Sequence, residues 1–203
     1  MRLEMTKETS KQTALFALSY FLMMTLAALL SRFVDQSGAK IYAPALTAIF
    51  GAIPYFYFVP RIARFGAISL VGLLMGSFFL LTGHIYLALL PGLIFGLLAD
   101  GLAYLGSYQK KVYNQLSMLC FSFVTTGPIL LMWLARDSYI ASLVARGKSS
   151  DYINHVLLPT DARTISSFLL SVLISGAIGA LLGSLISKYI FLKPKKLEQD
   201  QED

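Results

Sequence analysis

Few side chains in this 203-residue sequence can do chemistry, since it holds two histidines and one cysteine. His84 closes an apolar run in LLTGHIY, where a neutral imidazole can bind a ligand or metal or simply hydrogen-bond the turn. Asp100 sits inside the apolar run LLADGLAYLG, and a carboxylate there is costly unless it is paired, hydrated or close to the interface. It can cap a loop, pair with Lys110 or Lys111 of GSYQKK, or couple to a cytoplasmic partner. No second intramembrane acid or histidine completes a proton relay around it. In MWLARDSY, Trp133 and Tyr139 suit interfacial anchoring, while Arg136 and Asp137 can pair with each other or with polar groups of a ligand. An arginine grips a carboxylate through two parallel hydrogen bonds that a lysine does not reproduce. The expected substrate site is therefore His84, Tyr86, Trp133, Arg136, Asp137 and Tyr139, together with Asn154 and His155 of the following link.

Catalytic constellations are missing. The sequence contains no HExxH, no GxSxG, no glycine loop ending in GK[ST] and no histidine pair spaced for a metal. Cys120 stands alone in an apolar stretch, which excludes an intrachain disulfide and a cysteine metal cluster. The expectation is a protein that is not an enzyme and holds neither cofactor nor metal. Any active transport must then run on a partner's ATP or on an ion gradient.

The elements that position these residues follow from composition. Hydrophobic residues make up 56% and charged residues 14%, with a mean hydropathy of +0.66. A soluble globular domain carries roughly 25% charged residues and is excluded. Six apolar stretches approach the roughly 20 residues a helix needs to cross the hydrocarbon core. They run from Ala14 to Leu30, Ile41 to Val59, Gly66 to Thr82, Ile85 to Leu105, Leu116 to Ala135 and Ile165 to Leu192. Pro44 and Pro54 should bend or break the second, and Pro128 lies inside the fifth. Only Gly83 and His84 separate the third from the fourth, which demands a tight antiparallel turn. The longest link, Arg136 to Thr164, mixes apolar residues with charges and reads as a short amphipathic helix across the bundle mouth.

The expected fold class is an all-α integral membrane protein with six transmembrane helices in a compact bundle. The formal charge of +6 reflects anchoring residues at the cytoplasmic surface, not nucleic acid binding. Placing both termini inside puts Lys and Arg in excess on the inner side, which favours cytoplasmic termini. The expected organisation is a cytoplasmic segment over residues 1–12, a membrane domain over 13–192 and a charged cytoplasmic tail over 193–203. The first span reads as retained, not as a cleaved signal. His84 and Asp100, sixteen residues apart, lie roughly 24 Å from each other along a helix and face opposite sides of the membrane. They cannot share one active site.

Small residues at a spacing of four let helix backbones approach closely. Gly72 with Gly76, Gly92 with Gly96 and Gly179 with Gly183 have this spacing, as do Ser10 with Ala14 and Thr13 with Ala17 near the inner end of the first helix.

The runs FGAISLVGLLMGSFFLLTGH, PGLIFGLLADGLAYLGSYQKKVYNQLSM, LARDSY and GAIGALLGSLISKYIF resemble the substrate-binding (S) component of energy-coupling factor (ECF) transporters, specifically the Trep_Strep group, also called the MptD family. The likeness extends from about Phe65 to Phe191. It implies a membrane subunit that captures a micronutrient from outside and associates with a transmembrane T subunit and two cytoplasmic ATPases. It also implies delivery by toppling in the bilayer, with Ser10, Thr13, Ala14 and Ala17 as the face that meets the T subunit. The implied ligand is a vitamin, a cofactor or a tetrapyrrole-like molecule, haem included. Nickel and cobalt are disfavoured, because MRLEMT has no early histidine. The competing expectations are an ion-driven secondary transporter, for which no internal repeat is evident, and a membrane-embedded enzyme.

Overall fold

The computed structural model describes residues 7–35 and 40–187. It begins with α1 (Lys7–Val34), 28 residues without Gly or Pro. At 1.5 Å per residue this helix is about 42 Å long, more than the hydrocarbon core requires. Residues 7–12 belong to it, so only the start of the expected N-terminal segment lies outside the described residues, as do 188–192 of the sixth span and the tail 193–203. Phe16, Tyr20, Met24 and Ala27, spaced by three or four, form its buried stripe. Leu18, Leu22, Leu26 and Leu29 point out of the protein. That outward row of leucines suits a helix solvated by lipid on its far side.

The second apolar stretch is two helices, α2 (Ala43–Phe50) and α3 (Ala52–Ile62), bent by 49°. The break falls at Gly51 and not at the prolines. A Cβ at Gly51 would lie 2.5 Å from the ring of Tyr20, so the absent side chain is what lets that ring reach the kink. Pro44 occupies the first turn of α2, and Pro54 falls early in α3, positions where a helix has no N–H partner to lose. Next come α4 (Ala67–Leu81), a 3-10 turn (Tyr86–Leu89) continuous with α5 (Leu90–Leu105), and α6 (Lys111–Phe121). After a 3-10 turn (Ser122–Thr125) the chain bends by 61° into α7 (Gly127–Leu134), with Pro128 in its first turn.

The link expected to be one amphipathic helix is two, α8 (Arg136–Ala145) and α9 (Ser150–Val156), because Gly147, with φ of 71°, turns the chain between them. Last is α10 (Ala162–Ile186), capped by Asp161, whose carboxylate accepts from the Thr164 amide at 2.9 Å. Every regular element among the described residues is helical. Three segments are long and apolar enough to cross a membrane, α1, Tyr86–Leu105 and α10, and five if each bent pair counts as one span. The remaining apolar segment, α4, has 15 residues.

Helices meet where side chains are missing. A Cβ on Gly72 would stand 2.5 Å from the Gly92 carbonyl oxygen and 2.9 Å from the Gly96 Cα, so α4 and α5 touch backbone to backbone. Gly183 of α10 also packs closely on α3, where an added Cβ would stand 2.9 Å from the Ala52 carbonyl oxygen. At the centre, the rings of Phe16, Tyr20, Tyr55 and Phe121 pack at 5.1 to 6.4 Å between centroids. Gly92→Val should therefore force α4 and α5 apart, at a cost of about 1–3 kcal/mol or more. The expected result is a lower thermal midpoint of the purified protein, while Gly101→Ala, where no atom lies within 4 Å, leaves it unchanged or raised.

Candidate ligand site

Each end of the bundle gathers one set of polar groups. At the first end Asp100 is fully buried. Its Oδ2 accepts from the Gly66 amide at 2.8 Å, the Ser69 amide at 3.0 Å and the Ser69 hydroxyl at 2.8 Å. Its Oδ1 accepts from the Tyr108 hydroxyl at 3.0 Å. The carboxylate thus caps the N-terminus of α4 from a neighbouring helix, where unpaired amides and the helix dipole favour negative charge. Of the two structural arrangements open to Asp100, capping is the one formed, and its partners are neutral donors. Lys110 lies instead over the Tyr113 ring, 5.8 Å from its centroid, and Lys111 is exposed. Gln109 binds the Pro60 carbonyl at 2.8 Å, which ties this same end together.

At the opposite end a cavity of about 450 Å³ opens where α1, α2, α4, α7 and α8 converge. That size falls within the usual range for small-molecule sites. Met24, Phe78, Phe79, Ile129, Met132 and Leu143 supply apolar walls. Thr25, Thr47, Thr82 and Thr125 add hydroxyls. Lys40, His84, Arg146 and Lys148 also line it, and no Asp or Glu does among the described residues.

The geometry of Arg146 is specific. Its Nε donates to the Ser142 carbonyl at 3.1 Å, which holds the side chain against its own helix. Its Cδ packs on Gly83, where an added Cβ would approach to 2.9 Å and where φ is +84°. Nη2 is buried and has no hydrogen-bond partner, as is Thr125 Oγ1. Beside it, His84 Nδ1 lies 3.2 Å from both the Phe79 carbonyl and the Thr82 hydroxyl. The carbonyl only accepts, so the proton belongs on Nδ1 and Nε2 is left as an acceptor. Burial holds the imidazole below its ordinary range, and the charges of Arg146 and Lys40 depress it further.

Of the expected substrate residues, His84 and Tyr139 line this cavity. Tyr86 is 75% exposed. Trp133 donates to the Pro159 carbonyl at 3.0 Å and packs edge-on against Phe168, and Arg136 donates to the Leu158 carbonyl at 3.1 Å and the Thr160 hydroxyl at 3.2 Å. Both fasten the segment between α9 and α10. Asp137, Asn154 and His155 are exposed and outside the lining. Lys40, Arg146, Lys148 and Tyr152 are lining residues that sequence reasoning did not single out. The signal for one of them is periodic, because Tyr139, Leu143 and Arg146 stand at i, i+4 and i+7 and share a face of α8 and its cap. On α1, Thr13 and Ala17 are buried inside the bundle, Ser10 is half-buried and Ala14 is exposed.

A family described as "hypothetical bacterial integral membrane protein (Trep_Strep)" matches residues 12–193. The chain belongs to this family. It is thus a multi-pass membrane protein, in agreement with its apolar helices. No curated protein and no solved structure matches it. The cavity of this Trep_Strep protein holds no cluster of three metal-ligating side chains, nor does any other place among the described residues.

His84 binds a proton less readily in the folded protein than in the unfolded chain, because burial and two cations disfavour its charged form. The stability that depends on keeping it neutral is fully present above its ordinary value of 6.5 and is lost as pH falls through the depressed one. The thermal midpoint should fall between about pH 7 and about pH 5, and His84→Gln should flatten that fall. An unchanged slope in the variant would refute the assignment.

Proposed function

We propose that this Trep_Strep protein is the substrate-capture subunit of an ATP-driven importer of the ECF type. On this reading it takes a vitamin, cofactor or tetrapyrrole-like molecule from outside the cell and is not itself an enzyme. A transmembrane T subunit and two cytoplasmic ATPases supply the energy, and the subunit topples in the bilayer to deliver its ligand. The observation behind this reading is the cavity: a polar-mouthed, apolar-walled chamber at the end away from Asp100, roofed by the α8–α9 link. With cytoplasmic termini, that end faces out. The resemblance of the runs between about Phe65 and Phe191 to S components supports the same role.

Asp100 weighs against the ion-driven alternative. Ion-coupled carriers use an intramembrane acid that exchanges its proton or ion, whereas this carboxylate already accepts four hydrogen bonds and serves as a helix cap.

Exposure on α1 refines the proposed docking face. Ser10 and Ala14 point toward a partner, while Thr13 and Ala17 serve the protein's own core. In co-purification of the tagged protein with the T subunit and ATPases, Ala14→Trp should reduce the captured T subunit about tenfold, a loss of roughly 1.4 kcal/mol, without lowering the thermal midpoint. Ala17→Trp should lower the midpoint itself. Undiminished capture by Ala14→Trp would sink the docking face. Concentrative uptake into proteoliposomes holding this protein alone under an ion gradient would return the ion-driven reading.

A further inference from the structure

We propose that the cavity takes an amphiphilic organic acid, with its anionic group seated on Arg146 and its apolar body laid against Met24, Phe78, Phe79, Ile129 and Met132. This deepens the capture reading above and rests on it. A buried guanidinium nitrogen without a partner is the observation that points to a ligand. Such a group is left short of a hydrogen bond, and the desolvation of its charge is uncompensated. Only an acceptor, and best an anion, repairs this.

Among the described residues the cavity supplies no anion of its own. Lys40, Lys148 and His84 share the lining with Arg146, and no carboxylate lies among them. Of the acids near this end, Asp35 follows α1 outside the lining, Asp161 caps α10, and Asp137 and Asp151 are exposed outside the lining. The field inside is positive and unbalanced. Arg146 cannot swing off to find solvent either, since its Nε is bound to Ser142 and its Cδ rests on Gly83. The guanidinium is pre-organised, which lowers the ordering cost of binding. Lys40 and Lys148 are exposed and sit at the rim, where they steer an anion inward and add to its hold. Apolar side chains fill most of the remaining wall. A bare inorganic anion would leave them unused, and a neutral apolar ligand would leave Nη2 unpaired.

The test uses the full chain in nanodiscs of phosphatidylcholine, which has no net charge. Matched acid and neutral pairs are the probes: nicotinate with nicotinamide, indole-3-acetate with indole-3-acetamide, pyridoxal phosphate with pyridoxal, and protoporphyrin IX with its dimethyl ester. Thermal midpoint and equilibrium binding are read for each. At least one acid should raise the midpoint and bind about tenfold or more tightly than its neutral partner, the equivalent of roughly 1.4 kcal/mol. Arg146→Gln should abolish that preference, and Arg146→Lys should restore only part of it, because a lysine lacks the planar fork. If Arg146→Gln does not fold, Lys40→Gln with Lys148→Gln, both at exposed positions, should still reduce the preference several-fold.

Equal binding of acid and neutral partners, no acid binding at all, or a preference untouched by these substitutions overturns the proposal. Repetition with phosphatidylglycerol in the disc identifies a lipid headgroup as the occupant if that lipid alone raises the midpoint and excludes the acids, and this too overturns it. Capture of the T subunit is measured on the same preparation. Capture without acid preference sinks this inference alone, and acid preference without capture sinks the importer reading while the site stands.

Discussion

Two backbones in contact govern the arrangement of both polar ends. Gly72 and Gly76 of α4 meet Gly92 and Gly96 of α5 with nothing between them. In lipid there is no hydrophobic force to drive helices together, so close van der Waals contact over small residues is what holds such a pair. Gly92, Gly96 and Asp100 follow one another at a spacing of four and so lie on one face of α5. The carboxylate reaches the first turn of α4 because the glycines one and two turns away allow the helices to touch. At the far end of the same α4, Phe78, Phe79 and Thr82 wall the cavity. A wider separation of the two helices would loosen the cap and shift the wall together.

The two ends treat charge in opposite ways. Asp100 is buried and fully provided for, with four donors on two oxygens and no need of a counter-ion. Removal of one partner from such a site is strongly destabilising, and that marks it as structural. Arg146 is held in place as firmly, yet one of its nitrogens is left without an acceptor. On the proposed reading a further molecule completes the set at Arg146, whereas Asp100 needs none. The contrast separates scaffold from site without recourse to any relative.

Much of this was legible in the residues. Each apolar run is helical, two of them broken in two, Gly72 and Gly76 meet Gly92 and Gly96 while Gly179 and Gly183 pack on α2 and α3, and Asp100 stands out in an otherwise apolar run. Helix breaks were less legible. Pro44 and Pro54 drew attention, but both fit early helical turns, and the kink lies at Gly51 because Tyr20 needs the space. That requirement comes from another helix and leaves no trace in the local sequence. The composition of the site was harder still. Trp133 at the end of α7 and Arg136 at the start of α8 both turn to Leu158, Pro159 and Thr160, while Tyr139 and Arg146 turn to the cavity. Which face looks inward depends on how α8 folds back after α7, a tertiary fact. Lys40 and Lys148 were read only as part of a charge balance, since isolated lysines in links are common at any membrane surface.

Helix α1 belongs to both halves of the proposed cycle. Its buried stripe runs from Thr13 and Ala17, through the aromatic centre at Phe16 and Tyr20, to Met24, which lines the cavity wall beside Thr25 and Ala28 of the same helix. Its opposite face, with Ala14 and a row of leucines, is turned outward. It is unbroken by Gly or Pro, so it moves as a rod. A partner that seats on Ala14 therefore acts on an element whose other end forms part of the ligand's wall. A displacement too small to disturb the glycine contact of α4 and α5 would still move Met24 and Thr25 relative to Phe78 and Arg146. One wall of the cavity is built on the α4–α5 pair fixed by backbone contact, the other on α1, the helix of the proposed docking face. Release then requires only that docking favour the arrangement in which the walls stand apart, since a partner shifts an equilibrium by the difference in its affinity for the two states. Capture and delivery need no energy source within the chain itself.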